Sequence, residues 1–290
     1  GMRSLPGENG FDYSTMNWAK LTNRGYELSL STVNVKTKDF RWVMDFNLAH
    51  NKSKINRLNV RDNSYEPSRE GYSVGAVFSL KTAGLDENGL QMFYNKQGEK
   101  VSFNDFFGLE YGYMMGGLIP FLKSNLSAEE YRNLFTYEGT TEPKFTGGWI
   151  NRFYYKNFDL TVSASFVLDQ TVQEQPFYNP VQTSPGQNYS RRMSQIWSPD
   201  NTSGKYPRIM GTYTEGEENW AYQWLGMLDP GNSYRKYDYW FKKMSYMRIN
   251  SIRLGYTFPE RLLGHIGFSS ARISFEARNP FVFGSSYKGY

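Results

Sequence analysis

Several stretches of the chain alternate apolar and polar residues with a period of two, the pattern of a strand whose two faces meet different surroundings. From Phe40, "FRWVMDFNLAHN" sets Phe40, Trp42, Met44, Phe46 and Leu48 against Arg41, Asp45, Asn47 and Asn51. From Phe158, "FDLTVSASFVLD" sets Phe158, Leu160, Val162, Ala164, Phe166 and Leu168 against Asp159, Thr161, Ser163, Ser165 and Asp169. From Ala271, "ARISFEAR" does the same with Ala271, Ile273, Phe275 and Ala277, and a shorter stretch opposes Leu28 and Leu30 to Glu27, Ser29 and Ser31. The segment "YMRINSIRLGY" (246–256) alternates with a slip. Met247 and Ile249 share a face, and Ile252, Leu254 and Tyr256 resume it three residues on. One extra residue near Asn250–Ser251 restores the phase, which predicts a β-bulge. "FTGGWINRFYYK" (145–156) reads as a sixth strand, but its aromatics fall on both faces and the pattern does not assign its sides.

These strands run about 9–12 residues, the length a tilted strand needs to cross the hydrocarbon core of a bilayer. Their connections alternate short and long. Short turns lie at "KTKD" (36–39), at "KN" (156–157) and through "TFPERLLGHIG" (257–267), and long segments span 60–144 and 170–243. A soluble domain rarely carries loops that long, whereas outer-membrane barrels have short periplasmic turns and long extracellular loops. Phe40, Trp42, Phe153, Tyr154, Tyr155, Phe158, Tyr256 and Phe258 cluster at the short-turn ends, where an interfacial aromatic girdle belongs. The fold class expected is all-β: antiparallel strands of a transmembrane β-barrel, about six of them and so a partial barrel, with long extracellular loops. A β-sandwich whose core aromatics lie near turns stays open as the alternative. The outward face of 158–168 discriminates, since Val162→Arg would block membrane assembly only in the barrel.

Within the long segments, "SAEEYRNLF" (127–135) predicts a short helix with Ser127 as N-cap and Glu130 completing a capping box. "MFYNKQGEKVSF" (92–103) predicts a hairpin turning at Gln97–Gly98. Residues 171–240 read as an ordered but irregular loop rich in Tyr, Trp, Asn, Pro and Gly.

Composition narrows the function classes. Aromatics make up 18% of 290 residues, yet the mean hydropathy is −0.65, which fits alternation and aromatic-bearing polar loops. No run of 18 apolar residues predicts a spanning helix, and no signal peptide is visible at the N-terminus. Cysteine is absent, which removes disulfides, thiolate metal sites and cysteine nucleophiles. The net charge of +5 is scattered, without the basic stripe that a nucleic acid requires.

Titratable chemistry is thin. His50 continues an apolar face and His265 sits in a turn, so both read as structural. No HExxH, P-loop or GxSxG motif occurs. "TEGEENW" (214–220) lacks the separation that a glycosidase carboxylate pair needs, and "LDENG" (85–89) lacks the spaced ligands of a calcium loop. No catalytic residue, metal site or cofactor is expected. The fairer signal is aromatic: "GLEYGYMMGG" (108–117) and "ENWAYQWLG" (218–226) carry Tyr111, Tyr113, Trp220, Tyr222 and Trp224. Flat rings stack on sugars or anchor interfaces, or else pack the loops against each other.

Five blocks in order carry a family resemblance: "NWAKLTNRGYELSLSTVNVKTKDFRWVMDFNLAHNKSKI" (17–55), "GYSVGAVFSLKTAGLDENG" (71–89), "PKFTGGWINRFYYKNFDL" (143–160), "YMRINSIRLGYTFPERL" (246–262) and "ARNPFVFGSSYKGY" (277–290). Over nearly the whole chain they resemble the C-terminal part of the SusC/RagA class of TonB-dependent outer-membrane transporters. Residues 71–89 resemble the family's glycine-rich segment, with Ser73 where proline is usual. By this resemblance they form part of an extracellular loop, in which Gly71, Gly75, Gly84 and Gly89 permit tight turns at positive φ. The resemblance implies import of glycans or peptides through a plugged 22-stranded barrel, energised through TonB. It also implies a SusD-like surface lipoprotein over the loops and residence among the lipids of the Gram-negative outer membrane. The expected domain is 1–290 as one C-terminal piece of such a barrel, with plug, N-terminal segments and a final strand lying outside it, so that six strands alone transport nothing. The reading from a different class is a soluble all-β carbohydrate-binding protein.

Overall fold

The computed structural model describes residues 2–4, 13–15, 19–58, 64–114, 119–211, 216–264 and 267–284. His265, Glu215 and the closing "SSYKGY" lie outside them. In chain order the strands are β1 (Met2–Ser4), β2 (Tyr13–Thr15), β3 (Ala19–Lys36), β4 (Phe40–Leu58), β5 (Ala76–Ser79), β6 (Thr82–Leu85), β7 (Gln91–Tyr94), β8 (Lys100–Val101), β9 (Leu109–Met114), β10 (Ile119–Ser124), β11 (Thr136–Thr140), β12 (Phe145–Tyr155), β13 (Phe158–Gln173), β14 (Phe241–Thr257) and β15 (Arg272–Phe283). Six of them form one open antiparallel wall in the order β15-β14-β13-β12-β4-β3.

Register makes the wall two-faced. Reading across it, Leu30, Phe46, Trp149, Ala164, Ile249 and Phe281 fall in one row, and Leu28, Leu48, Gly147, Phe166, Met247 and Phe283 in the next. Towards the short turns follow the rows of Trp42, Phe153, Leu160, Leu254 and Phe275, then of Phe40, Tyr155, Phe158, Tyr256 and Ile273. The opposite face carries Ser31, Asp45, Ser163 and Ser251, and beside them Arg152, Thr161, Arg253 and Glu276. There Arg152 ion-pairs with Asp45, which also accepts from Ser31 Oγ at 2.7 Å. The neighbours thus assign the sides of β12: Trp149 and Phe153 face apolar, Ile150, Arg152 and Tyr154 the polar side. Asn151, on the apolar face, accepts from Trp42 Nε1 at 2.9 Å, so its amide oxygen has a hydrogen-bond partner there.

The apolar face is uncovered. Phe275 and Ile273 are 73% and 64% exposed, and Leu28 and Phe281 are more than half exposed. From Phe40 to His50 along β4, ~3.4 Å per residue gives ~34 Å, and a ~40° tilt reduces this to ~26 Å, the height of the apolar band on an outer-membrane barrel. Among the described residues no helix is long and apolar enough to cross a membrane, which bears on helices alone.

Two departures from a plain ladder stand out. Ser163 pairs with Ser251 and Ala164 with Ile249, so Asn250 is the extra residue that the phase slip predicts. A second bulge falls at Leu168–Asp169, where Asp169 takes a φ of 53° and its amide donates to Ser245 Oγ at 2.9 Å. The strands are longer than expected, 18 residues in β3 and 19 in β4, because beyond the apolar band both faces become polar (Arg24 opposite Lys52, Thr22 opposite Lys54) and the alternation that marks a strand in sequence fades.

The buried core lies in the long loops. Leu80, Phe93, Phe107, Tyr131, Tyr237 and Trp240 are essentially inaccessible, and they join one aromatic cluster with Leu90, Phe103, Phe106, Tyr178 and Trp224. The helix α1 (Phe103–Phe107) directs three phenylalanines into it, capped by Ser102 and closed by Gly108 in the left-handed region. The helix α2 (Ala128–Arg132) has the predicted capping box between Ser127 and Glu130, and the hairpin at Gln97–Gly98 forms between β7 and β8. The two long loops are joined by a short parallel bridge. Leu80 N–H donates to Lys236 O at 2.8 Å and Asp238 N–H to Leu80 O at 3.1 Å, beside Thr82 Oγ1 donating to Asp238 at 2.6 Å.

Candidate functional site

The loop cap is where the aromatic candidates meet. Tyr111 sits on β9, in the hairpin with β10. Trp220 and Tyr222 sit on the helix α3 (Gly216–Gln223), which runs into a π-turn at Trp224–Leu228. The fold brings Tyr111 and Trp220 together, their rings stacked at 5.7 Å and 25°, both half-buried against the core, as is Tyr222. Trp224 is 4% exposed and packs on Phe107 at 5.8 Å, so it supports the cap from inside. Tyr113 pairs through its backbone with Pro120; its side chain lies outside the described residues.

The cap is pinned by polar contacts that sequence adjacency does not reveal. Tyr131 OH donates to Asp229 at 2.7 Å; burial first, then this carboxylate, raises the phenol above its usual pKa. Arg192 ion-pairs with Glu174, lies 4.5 Å over the Phe177 ring and donates to Tyr206 OH at 2.6 Å. Arg208 pairs with Glu218 of α3 at 2.7 Å and stands 5.3 Å over the Trp197 ring. Glu218 is therefore held by an arginine and not by a second carboxylate.

Beside this arginine opens a cleft of about 350 Å³ lined by Ile196, Trp197, Asn201, Arg208 and Ile209. Trp197 is a residue that sequence reasoning missed, although the signal that marks Trp220, an aromatic ring in a polar loop, is present in "QIWSPDN" as well.

The glycine-rich stretch now has a physical role. Gly71, Gly84 and Gly89 adopt the positive φ expected of them (86°, 89° and 77°). Gly75 does not, and this corrects the expectation: its requirement is close approach, because a Cβ there would lie 2.6 Å from Thr141 Oγ1. "LDENG" is the hairpin turn between β6 and β7, and the Asp86 carboxylate accepts from the amides of Asn88 and Leu90 at 2.9 and 2.8 Å. The Trp197 ring lies directly on Gly89, where a Cβ would come within 2.3 Å of it. Residues 71–75 form a strap along β4: Gly71 N–H donates to Ile55 O and Ile55 N–H to Tyr72 O, each at 2.8 Å.

With this geometry the chain can be compared with known proteins. No family model matches it. It is 27% identical to a TonB-dependent receptor of Formosa agariphila, over 99% of this chain and 26% of the relative. It is 24% identical to the TonB-dependent receptor SusC of Bacteroides thetaiotaomicron, over 95% of this chain and 24% of SusC. The RagAB peptide transporter superposes with a TM-score of 0.65 at 19% identity, covering 98% of this chain and 28% of that one. The chain is similar to SusC/RagA-type TonB-dependent transporters. Against the SusC/RagA-type fold, the open wall and the cap fall in place as part of a barrel with its loops. The chain spans about a quarter of the length of the curated relatives it matches.

Proposed function

We propose that this chain forms part of the wall and the extracellular cap of an outer-membrane importer that takes up oligosaccharides or peptides. The observation that carries the reading is the wall itself: an uncovered apolar face of bilayer height, backed by a polar face and topped by a packed aromatic cap at the long-loop end. The likeness to SusC and to the RagAB peptide transporter supports it. In this reading a SusD-like surface lipoprotein rests on the cap, and TonB engages segments beyond this chain. Tyr111, Trp220 and Tyr222 offer their half-buried rings to sugar or peptide, while the buried Trp197 walls the neighbouring cleft and Trp224 holds the platform from below. Gly71, Gly75, Gly84 and Gly89 shape the loop that seats Trp197. The wall and cap hold and pass a solute, and nothing in this role calls for a cofactor.

The test is fractionation of cells expressing the full-length protein, together with growth on oligosaccharides or on peptides as sole carbon source. The protein is expected in the outer-membrane fraction, with gel mobility that changes on heating. Its deletion, and more weakly the pair Trp197→Ala and Trp220→Ala, is expected to abolish or slow growth on one nutrient class. Recovery as a soluble β-rich monomer in detergent-free buffer would sink the reading and favour a soluble carbohydrate-binding protein.

A further inference from the structure

Strand β12 starts late. It begins at Phe145, whereas its neighbours β4 and β13 reach Leu58 and Gln173 at the long-loop end. The gap beyond its start leaves a cleft of about 630 Å³, closed by the 71–75 strap, β11 and the end of β13.

Register puts this cleft on the apolar side of the wall. Lys52 and Lys54 continue the even-numbered face of β4 that carries Phe46, Leu48 and His50, and the bulge at Leu168–Asp169 turns Thr171 onto the same face opposite Lys243. The cleft therefore sits at the upper edge of the apolar band, whose last row is Tyr26, His50, Phe145 and Leu168. The His50 ring lies 5.0 Å from Tyr26 and 5.1 Å from Phe145, and its Nδ1 bonds Lys144 O at 2.6 Å.

Cations dominate the lining. Lys52, Lys54, Lys144 and Lys243 face two acids, Glu142 and Asp169. Glu142 is occupied, accepting from Ser53 Oγ at 2.6 Å. Among the described residues Lys52, Lys54 and Lys144 have no ion-pair partner. Above them Tyr72 and Tyr137 stack at 4.8 Å and 28°, each exposed to solvent.

A ligand matching this edge needs apolar chains for the band, an anionic group for the lysines and a flat polar head for the tyrosine rings. Basic clusters at a membrane boundary recognise anionic head groups, and aromatic faces take saccharide rings. We infer that the cleft binds a phosphorylated glycolipid of the outer leaflet, with phosphate at Lys52, Lys54 and Lys144, sugar against Tyr72 and Tyr137, and acyl chains along Phe145 and Leu168. The inference rests on the outer-membrane reading above.

The test uses the full-length protein extracted from outer membranes in non-ionic detergent, with lipid A quantified by mass spectrometry after gel filtration. Wild type is expected to retain lipid A, and the triple variant K52S/K54S/K144S to lose it about tenfold or more while assembling normally. Y137A is expected to lose less. Lipid A added in micelles is expected to restore occupancy of stripped protein, and its dephosphorylated form to fail. Wild type without lipid A, equal retention by the triple variant, or equal rebinding of both lipid forms would each overturn the site and leave the transporter reading intact. Absence of the protein from the outer-membrane fraction would overturn that reading and this site with it.

Discussion

The wall and the cap are built on opposite principles. The wall keeps its apolar residues on the surface: Phe275, Ile273 and Leu28 are all more than half exposed, and backbone ladders hold it together. The cap has little regular structure and buries its central aromatics, with Phe93 stacked on Phe106 at 4.2 Å and Trp240 donating Nε1–H to Tyr234 O at 3.0 Å. A chain that folded only in water would put its core between sheets. Here the core sits in the loops, and in the reading proposed above the apolar face of the sheet meets lipid. What the difference teaches is that a regular apolar face can stay exposed beside a loop region that builds its own core, a contrast that the mean hydropathy of −0.65 does not reveal.

That comparison can be broken from either side. The largest effect is expected in the cap: Trp240→Ala should cost ~3–5 kcal/mol, read as faster hydrogen exchange of the Leu80 amide with the wall ladder unchanged. If wall amides accelerate equally, cap and wall are one cooperative unit and the contrast fails. On the wall, Val162→Arg should cost ~2–4 kcal/mol near mid-band, measured as a lower folded fraction in lipid bilayers against urea. Its neighbour Ser163→Arg, on the polar face, should cost less than ~1 kcal/mol; the reverse order would put lipid on the wrong side. Gly89→Ala places a Cβ against Trp197 at positive φ and should destabilise the cap by ~1–3 kcal/mol, visible as a shift in tryptophan fluorescence. Within the cap the smallest effect is expected from Ser127→Ala, ~1 kcal/mol through loss of the α2 cap, seen as local exchange at Tyr131.

The same contrast explains what was legible in the sequence. The wall was, because period-two alternation over Phe158–Leu168 is written residue by residue, and the slip from Ile249 to Ile252 located the bulge at Asn250. The sides of β12 were not, since Phe153 and Tyr154 are both aromatic and only pairing with Trp42 and Arg41 separates them. Local signals in the cap, the Ser127–Glu130 box and the Gln97–Gly98 turn, were equally plain. Its packing was hidden because Phe107, Tyr131, Trp224 and Trp240 come from four distant segments with no common period. Trp220 and Tyr111 could be nominated as rings but not paired, and the lysine cleft needs the late start of β12, which no local pattern announces.

The parallel bridge between Leu80 and Tyr237 carries a consequence for assembly. Thr82 and Asp238, which flank it, are 156 residues apart, whereas β12 and β13 meet across a two-residue turn at Lys156 and Asn157. Closing a long loop is slow compared with zipping a hairpin. The hairpins should therefore form first and the bridge last, so a ligand or antibody that recognises only the joined loops would report molecules that have finished folding.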